Sequence, residues 1–233
     1  LVVGAAVDRD GAWDQAVQLA ERHNARVFVA PMAGTCGFPG DHALFAGHLS
    51  PMRERIVAAL APHDVVLALG APAFTYHVAG SGPHVPPGTT LCQMIDDPDT
   101  AAWAPQGSSV LCSLMLGLQD LLARPAPAAR TAPARWQRPA RVEPPPPGEP
   151  LSVAYVLQTL ADARDPSSIV VEEAPSARPV MHERLPILRP GSFYEMDSGG
   201  LGFGMAAAIG VALARPEVRT IALVGDGSAM YTI

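Results

Sequence analysis

The chain has 233 residues, with 16 basic and 22 acidic side chains, so its net charge is −6 when the histidines are neutral. This acidic balance argues against a nucleic-acid-binding protein, because such proteins carry clustered basic surfaces. Hydrophobic residues make up 48% of the sequence, well above the content of disordered chains, and the length suits one large domain or two small ones.

Neither a membrane span nor a signal peptide is evident, so we expect a cytoplasmic protein. No apolar run approaches the roughly 20 residues that a membrane-spanning helix needs, and the first residues lack the basic-then-apolar order of a signal peptide. Cys36, Cys92 and Cys112 are odd in number and far apart. This spacing favours reduced thiols over disulfides or a metal site.

The first part of the chain, residues 1–124, alternates short apolar runs with stretches of helical periodicity. Strands are predicted at residues 1–3, 26–30, 64–69 and 90–95, with a possible fifth at 109–112, and helices at 12–23, 52–60 and 114–123. The continuous apolar run from Asp64 to Leu69 is typical of a parallel strand that is covered on both faces. The alternation predicts an α/β domain with a doubly wound parallel sheet.

Residues 125–150 interrupt this pattern, because prolines recur among alanine and arginine. A segment so rich in proline cannot form a helix or an interior strand, so we expect an extended linker. Arginines at and after its start give it a local basic charge: Arg124, Arg130, Arg135, Arg138 and Arg141. A solvated linker is favoured over a nucleic-acid contact.

A second α/β unit is predicted over residues 151–233. Ser152 can cap a helix that runs to Leu160, a strand follows at residues 168–171, an apolar helix follows the glycine-rich run, and a strand occupies residues 220–224. About two strands and two helices are too few to cover both faces of a sheet. We therefore expect an incomplete domain, and a chain that is a piece of a longer protein.

The sharpest motif is Gly225-Asp226-Gly227-Ser228, which directly follows a strand predicted to be buried and stands at the start of a predicted helix. Glycines at the carboxyl end of a strand allow close approach of the backbone to an anion, and free amide groups at a helix start can bind phosphate. Asp226 offers a hard oxygen ligand that suits Mg²⁺. The alternative is an ordinary tight turn, since an isolated Gly-Asp-Gly is common.

A competing hypothesis comes from Gly202-x-Gly204-x-x-Ala207, which matches a variant of the dinucleotide fingerprint and would indicate an NAD-dependent oxidoreductase. The fingerprint should follow a buried strand, whereas residues 194–198 are polar. The sequence context therefore argues against nicotinamide binding. A non-catalytic α/β binding module is a third possibility.

Taken together, these motifs resemble a known family. The runs Gly199–Phe203, Ala207–Gly210 and Val224–Ser228 are similar to the cofactor domain of thiamine diphosphate-dependent decarboxylases, and most of all to its benzoylformate decarboxylases. His63–Leu67 and Gly70–His77 are similar to the middle domain of the same enzymes. The resemblance extends over nearly all of the chain and implies a middle α/β domain at 1–124, a linker at 125–150 and the start of the diphosphate-binding domain at 151–233.

The resemblance also implies roles for individual residues around the diphosphate. Asp226 is expected to be the first Mg²⁺ ligand. Gly227, Ser228 and Tyr231 are expected near the diphosphate group of thiamine diphosphate. The second Mg²⁺ ligand of the family lies beyond the end of this chain.

Further roles concern the rings of the cofactor and proton transfer. Leu201 is expected under the thiazolium ring, and the carbonyl of Gly199 is expected to accept a hydrogen bond from the aminopyrimidine. His77 is expected to transfer protons, which suits a side chain that titrates near neutral pH. Ser176 is expected to bind the diphosphate alone, because Pro175 stands where the family has a hydroxyl residue and offers neither a hydroxyl nor an N–H donor.

The implied activity is the non-oxidative decarboxylation of a 2-oxo acid, in which the cofactor acts as the electron sink while CO₂ leaves. A carboligating enzyme that resembles acetolactate synthase is the nearest alternative. The resemblance further implies a homodimer or homotetramer. Because catalytic groups of the family belong to an amino-terminal domain, we expect the 233-residue piece by itself to be inactive.

Overall fold

A computed structural model of the protein describes residues 1–232, which form two parallel β-sheets with helices packed against them. The elements of the first unit, in chain order, are β1 Val2–Val3, α1 Ala5–Arg9, α2 Trp13–His23, β2 Val27–Val29, β3 Phe45–His48, α3 Arg53–Leu60, β4 Val65–Leu69, β5 Thr90–Ile95, α4 Pro98–Ala102, β6 Ser108–Leu111 and α5 Leu114–Ala123. Its six strands are all parallel and lie in the order β3-β2-β1-β4-β5-β6. This order reverses direction beside β1, which confirms the predicted doubly wound sheet.

One strand of this sheet was not predicted. β3 consists of Phe45-Ala46-Gly47-His48, and Gly47 has a φ of +96° that L side chains rarely adopt. The register between β2 and β3 shifts along their length. A glycine and a histidine in four residues give too weak an apolar signal, so β3 is held in the sheet by pairing with β2 rather than by local propensity.

The core of the first unit is built from the apolar strands and the helices around them. Val2 and Val3 are completely buried, as expected for a central parallel strand that is covered on both faces. Leu114 and Leu118 of α5 are also completely buried, while Ile56 of α3 contributes a further side chain. Helices α2 and α5 pack against each other.

The second unit consists of α6 Val153–Ala163, β7 Ile169–Glu173, α7 Arg178–Arg184, β8 Phe193–Glu195, α8 Gly204–Ala214, β9 Thr220–Val224 and α9 Asp226–Ala229. Its strands are parallel in the order β8-β7-β9. As predicted, the Ser152 hydroxyl caps α6, accepting the Tyr155 N–H at 3.2 Å.

The prediction of about two strands and two helices for this unit was too low. The described residues of the second unit contain three strands and four helices. β8 was not predicted, because the sequence around Tyr194 is polar. Glu195 at the end of β8 is buried, and its carboxylate pairs with the partly buried Arg178. A strand that contains such a polar residue is predicted as a loop, because the partner that allows the residue to be buried lies elsewhere in the sequence.

Residues 125–150 contain no helix or strand and are mostly exposed, but several of their side chains contact the two units. The Arg138 guanidinium donates to the carbonyl oxygens of Gly40 and Glu183, each at 2.6 Å, and so joins the first unit to the second. The Trp136 ring packs edge-on against Phe45, with 5.7 Å between the ring centroids. The linker thus has no regular structure, but Trp136 and Arg138 anchor it to the two units.

Two of the arginines in and next to this segment form ion pairs, Arg141 with a residue 21 positions away and Arg124 with a residue four positions earlier. Arg141 pairs with Asp162 at 2.5 Å, and Arg124 pairs with Asp120 at 2.7 Å. The local basic charge seen in the sequence is thus partly neutralised by the fold.

Within residues 1–232, no helix combines the length and apolar character that crossing a membrane requires. Cys36, Cys92 and Cys112 all carry free thiols.

Candidate functional site

A cleft of about 490 Å³ lies at the carboxyl ends of β7 and β9. Three loops meet there: the turn after β7, the glycine-rich loop before α8 and the turn after β9. They converge because the carboxyl ends of parallel strands lie at the same edge of a sheet. The lining residues are Ala174, Pro175, Ser176, Ala177, Leu201, Gly225, Asp226, Gly227, Ser228 and Tyr231.

The turn after β9 presents hydrogen-bond donors to this cleft. Helix α9 begins at Asp226, so the amides of Asp226, Gly227 and Ser228 occupy its first turn and have no acceptor within the helix. A Cβ atom built on Gly227 would meet nothing within 4 Å, which leaves space for a group to approach the backbone. Free amides beside one exposed carboxylate suit a phosphate group together with a divalent cation.

The other walls of the cleft are formed by side chains that remain exposed. The Ser176 hydroxyl lies on the turn after β7, and Tyr231 follows α9. Leu201 is 42% exposed although it is apolar, so it is free to contact a ring inside the cleft. The structure thus brings six of the predicted site residues together: Ser176, Leu201, Asp226, Gly227, Ser228 and Tyr231.

His77 and Gly199 lie beside this cleft rather than in it. A Cβ atom built on Gly199, whose φ is +71°, would stand 3.7 Å from Cε1 of His77. The His77 side chain lines a neighbouring cavity of about 470 Å³, and its main-chain N–H donates to the carbonyl of Pro51 at 2.9 Å. Pro175 lines both cavities. Seven of the eight predicted residues therefore line two adjoining spaces, and Gly199 lies next to His77.

A buried ionic cluster borders the second cavity. Glu172 and Glu195 face each other in register across β7 and β8, and Arg178 Nε lies 2.6 Å from Glu172 Oε2 and 3.2 Å from Glu195 Oε2. Burial raises the pKa of Glu172, an effect that Arg178 opposes. The His48 ring stacks on His182 at 3.7 Å, and burial holds the pKa of His48 well below its usual range.

This cluster also fixes the turn after β7. Arg178 is the first residue of α7, and Glu172 Oε1 accepts the N–H of Ala174 at 2.5 Å. Both ends of the turn that carries Ser176 are therefore tied to the same carboxylate.

The sequence alone did not identify Glu173 as part of the site. Its side chain is 1% exposed and accepts the N–H groups of Gly202, at 2.5 Å, and of Gly204. An acidic residue at the inner end of an apolar strand was the available signal, because a carboxylate is buried there only when strong donors surround it.

The contacts of Glu173 also argue against the hypothesis of dinucleotide binding. The argument that no buried strand precedes the glycine-rich run is wrong, because Phe193 and Glu195 of β8 are buried. The hypothesis fails for another reason: the first amide of α8, at Gly204, already donates to the chain's own carboxylate. A pyrophosphate at this helix start would have to displace a buried negative charge.

Comparison with known protein sequences identifies relatives of this chain. Residues 1–113 match the family described as thiamine pyrophosphate enzyme, central domain, and residues 176–233 match thiamine pyrophosphate enzyme, C-terminal TPP binding domain. Over 239 aligned residues the chain is 40% identical to benzoylformate decarboxylase of Pseudomonas aeruginosa. The alignment covers 100% of this chain and 44% of that protein.

Solved structures show the same relationship. A thiamine diphosphate-dependent 4-hydroxybenzoylformate decarboxylase of Rhodococcus jostii superposes with a TM-score of 0.92 and 35% identity, over 99% of this chain and 43% of that one. Benzoylformate decarboxylase from Polynucleobacter necessarius superposes with a TM-score of 0.91 and 31% identity, over 99% and 44% respectively. The chain spans less than half the length of these relatives. With both domains matched and the fold shared throughout, the chain belongs to the family of thiamine pyrophosphate enzymes.

Proposed function

We propose that this chain is part of a thiamine diphosphate- and Mg²⁺-dependent decarboxylase that acts on a 2-oxo acid, as the names of its relatives indicate for those proteins. The observation that carries the proposal is the cleft itself, in which three loops bring free amides, an exposed carboxylate and an exposed leucine around one space. Amides can bind a diphosphate, a carboxylate can ligate a divalent cation, and a leucine can pack against an apolar ring, so the cleft suits all three groups together.

At the diphosphate end, the amides of Gly227 and Ser228 are the donors, and Asp226 holds the Mg²⁺. A single carboxylate is sufficient on this side, because Mg²⁺ commonly binds one or two carboxylates together with phosphate oxygens and water. The Ser176 hydroxyl contributes a further donor from the turn after β7, and Tyr231 borders the same group.

At the other end of the cleft, Leu201 supports the thiazolium ring and the carbonyl of Gly199 accepts a hydrogen bond from the aminopyrimidine. His77, next to Gly199, holds or releases a proton at the reacting carbon. Bound thiamine diphosphate supplies a carbon nucleophile and an electron sink, which the protein's own side chains lack.

A carboligating activity is the second candidate, because the chain is 34% identical to acetolactate synthase isozyme 1 large subunit of Escherichia coli. That similarity covers 36% of this chain, whereas benzoylformate decarboxylase covers all of it. Whole-chain similarity favours decarboxylation. Product analysis separates the two: both reactions release CO₂, but a synthase joins the remaining carbons to a second substrate molecule, whereas a decarboxylase releases them as an aldehyde.

Three wider properties belong to the same proposal. The enzyme is a homodimer or homotetramer located in the cytoplasm, and the 233-residue chain on its own turns over no 2-oxo acid. Measurable decarboxylation by the isolated chain would contradict the last statement.

The test is a titration of the full-length protein with thiamine diphosphate in the presence of Mg²⁺, followed by fluorescence or calorimetry. We expect saturable binding that Asp226→Asn weakens and that the control Asp99→Asn, on the exposed surface of α4, leaves unchanged. A wild-type protein that binds neither thiamine diphosphate nor Mg²⁺ would overturn the proposed function.

A further inference from the structure

We propose that Glu173 is a positioning residue that fixes the glycine-rich loop and the turn after β9 relative to each other before a cofactor binds. The inference rests on the proposed function, since it assigns Glu173 to the assembly of that same cleft. Glu173 does not line the cleft, so it acts through its neighbours and not by contact with a ligand.

Glu173 has contacts with both of these loops from the end of the central strand β7. Its carboxylate accepts the amides of Gly202 and Gly204, which bracket the start of α8. Its main-chain carbonyl accepts the N–H of Gly225 at 2.9 Å. Leu201 immediately precedes the first of these glycines and Asp226 immediately follows the last. One residue therefore sets the separation of the apolar wall and the carboxylate wall.

The two hydrogen bonds that the Glu173 carboxylate accepts are of the charge-assisted type, which is stronger than the neutral type. Among the described residues, no arginine or histidine forms an ion pair with Glu173, although its side chain is almost fully buried. Its charge is instead balanced by two backbone donors and by the positive end of the α8 dipole. A buried carboxylate that is bonded only by backbone amides holds those amides firmly, because each lost bond leaves an unpaired charge in the interior.

The glycine at position 204 is part of the same arrangement. A Cβ atom on Gly204 would come 2.7 Å from Cβ and 3.0 Å from Oε2 of Glu173. A side chain there would push the carboxylate away from its donors. Gly204→Ala is thus a second way to disturb the carboxylate while leaving Glu173 itself in place.

The experiment measures thiamine diphosphate binding to the full-length protein at saturating Mg²⁺, for wild type, Glu173→Gln, Gly204→Ala and the control Glu149→Gln. Glu149 lies on the exposed linker and its side chain forms no hydrogen bond with the described residues. A glutamine presents an NH₂ group to one of the two backbone amides, so it can satisfy only one of them. We expect the Kd to rise at least about tenfold in both site variants, measured at a temperature where circular dichroism shows them folded, and to stay unchanged in the control.

The outcomes separate the two proposals. If wild type fails to bind thiamine diphosphate, the proposed function fails and this inference fails with it. If wild type binds and both folded variants bind equally well, the positioning role is wrong while the proposed function stands. A variant that loses stability but keeps its Kd also contradicts the inference, because the role would then be structural only.

Amide hydrogen exchange on the wild-type protein without cofactor provides a measurement that does not depend on folded variants. If Glu173 fixes the loop in advance, the amides of Gly202 and Gly204 exchange at least about a hundredfold more slowly than in an unstructured peptide. Exchange at the unstructured rate would show that the loop is not held before binding, and would overturn the inference.

Discussion

Both carboxylate oxygens of Asp8 accept the main-chain N–H of Gly191, at 2.9 and 3.1 Å, although the two residues are 183 positions apart. Asp8 belongs to α1 of the first sheet unit, and Gly191 lies just before β8 of the second. Burial raises the pKa of Asp8, and the bond from Gly191 opposes that shift. This contact therefore joins the two units directly, beside the strand that leads into the glycine-rich loop.

Replacing Asp8 with alanine removes the acceptor and leaves the Gly191 amide without a partner. We expect the free energy of unfolding to fall by roughly 1–3 kcal/mol, the usual cost of leaving a buried donor without its partner. Asp8→Asn keeps one acceptor oxygen and should lose less. The measurement is urea denaturation, with Asp14→Ala on the exposed side of α2 as the control. Equal midpoints for Asp8→Ala and wild type would contradict this expectation.

The lowered pKa of His48 leads us to expect that the free energy of unfolding depends on pH. Burial, His182 and Arg138 all lower the pKa of His48 well below the ordinary histidine value of 6.5. Because the unfolded chain then binds a proton more readily than the folded one, stability is fully present above pH 6.5 and falls as the pH drops below it. The contribution is at most about 1.4 kcal/mol per pH unit.

The variant His48→Phe retains a ring that can stack on His182 but cannot take up a proton. We expect the loss of stability between pH 6.5 and 5.5 to be smaller in this variant than in wild type. Urea midpoints at several pH values measure the difference. Parallel pH curves for the two proteins would exclude His48 as the source.

The linker should become accessible to proteases when its aromatic anchor is removed. Trp136 packs on Phe45, and Arg138 lies over the Trp136 ring at 5.3 Å from its centroid. In Trp136→Ala we expect trypsin, which finds no lysine in this chain, to cut after Arg135 severalfold faster than in wild type. Mass spectrometry of the fragments gives the rate. The control is Trp103→Ala, since Trp103 is 85% exposed; unchanged cleavage after Arg135 would mean that the ring does not hold the linker.

The proposed proton transfer by His77 can be tested by kinetics on the full-length enzyme. His77→Ala should lower kcat by about 10²–10⁴-fold, the usual contribution of a general acid or base, while the Kd for thiamine diphosphate stays close to that of wild type. His84→Ala is the matched control, because His84 lies on the same loop and bonds to the Tyr76 hydroxyl at 2.7 Å. A loss of cofactor binding in His77→Ala, or no change in kcat, would contradict the assigned role.

The sequence alone was sufficient to predict the doubly wound fold of the first unit and most of its elements. Residues 90–95 and 114–123 were predicted with the bounds that the structure shows for β5 and α5. Both segments bury apolar side chains at regular intervals, so local periodicity and tertiary packing agree. The Gly225–Ser228 turn was predicted because glycines follow an apolar run. The expectation that this run forms a buried strand was wrong, since β9 has no buried residue.

Tertiary structure alone decided the elements and contacts that depend on distant partners. β3 and β8 contain glycine, histidine and glutamate, and they become strands because β2 and β7 pair with them. Glu173 acquires its role only when the loop around Gly202 folds back onto β7, 29 residues away in sequence. His77 meets Gly199 only because the two units pack together. Periodicity records which face of an element is buried, whereas a buried charge or a contact between units depends on a partner that the local sequence does not specify.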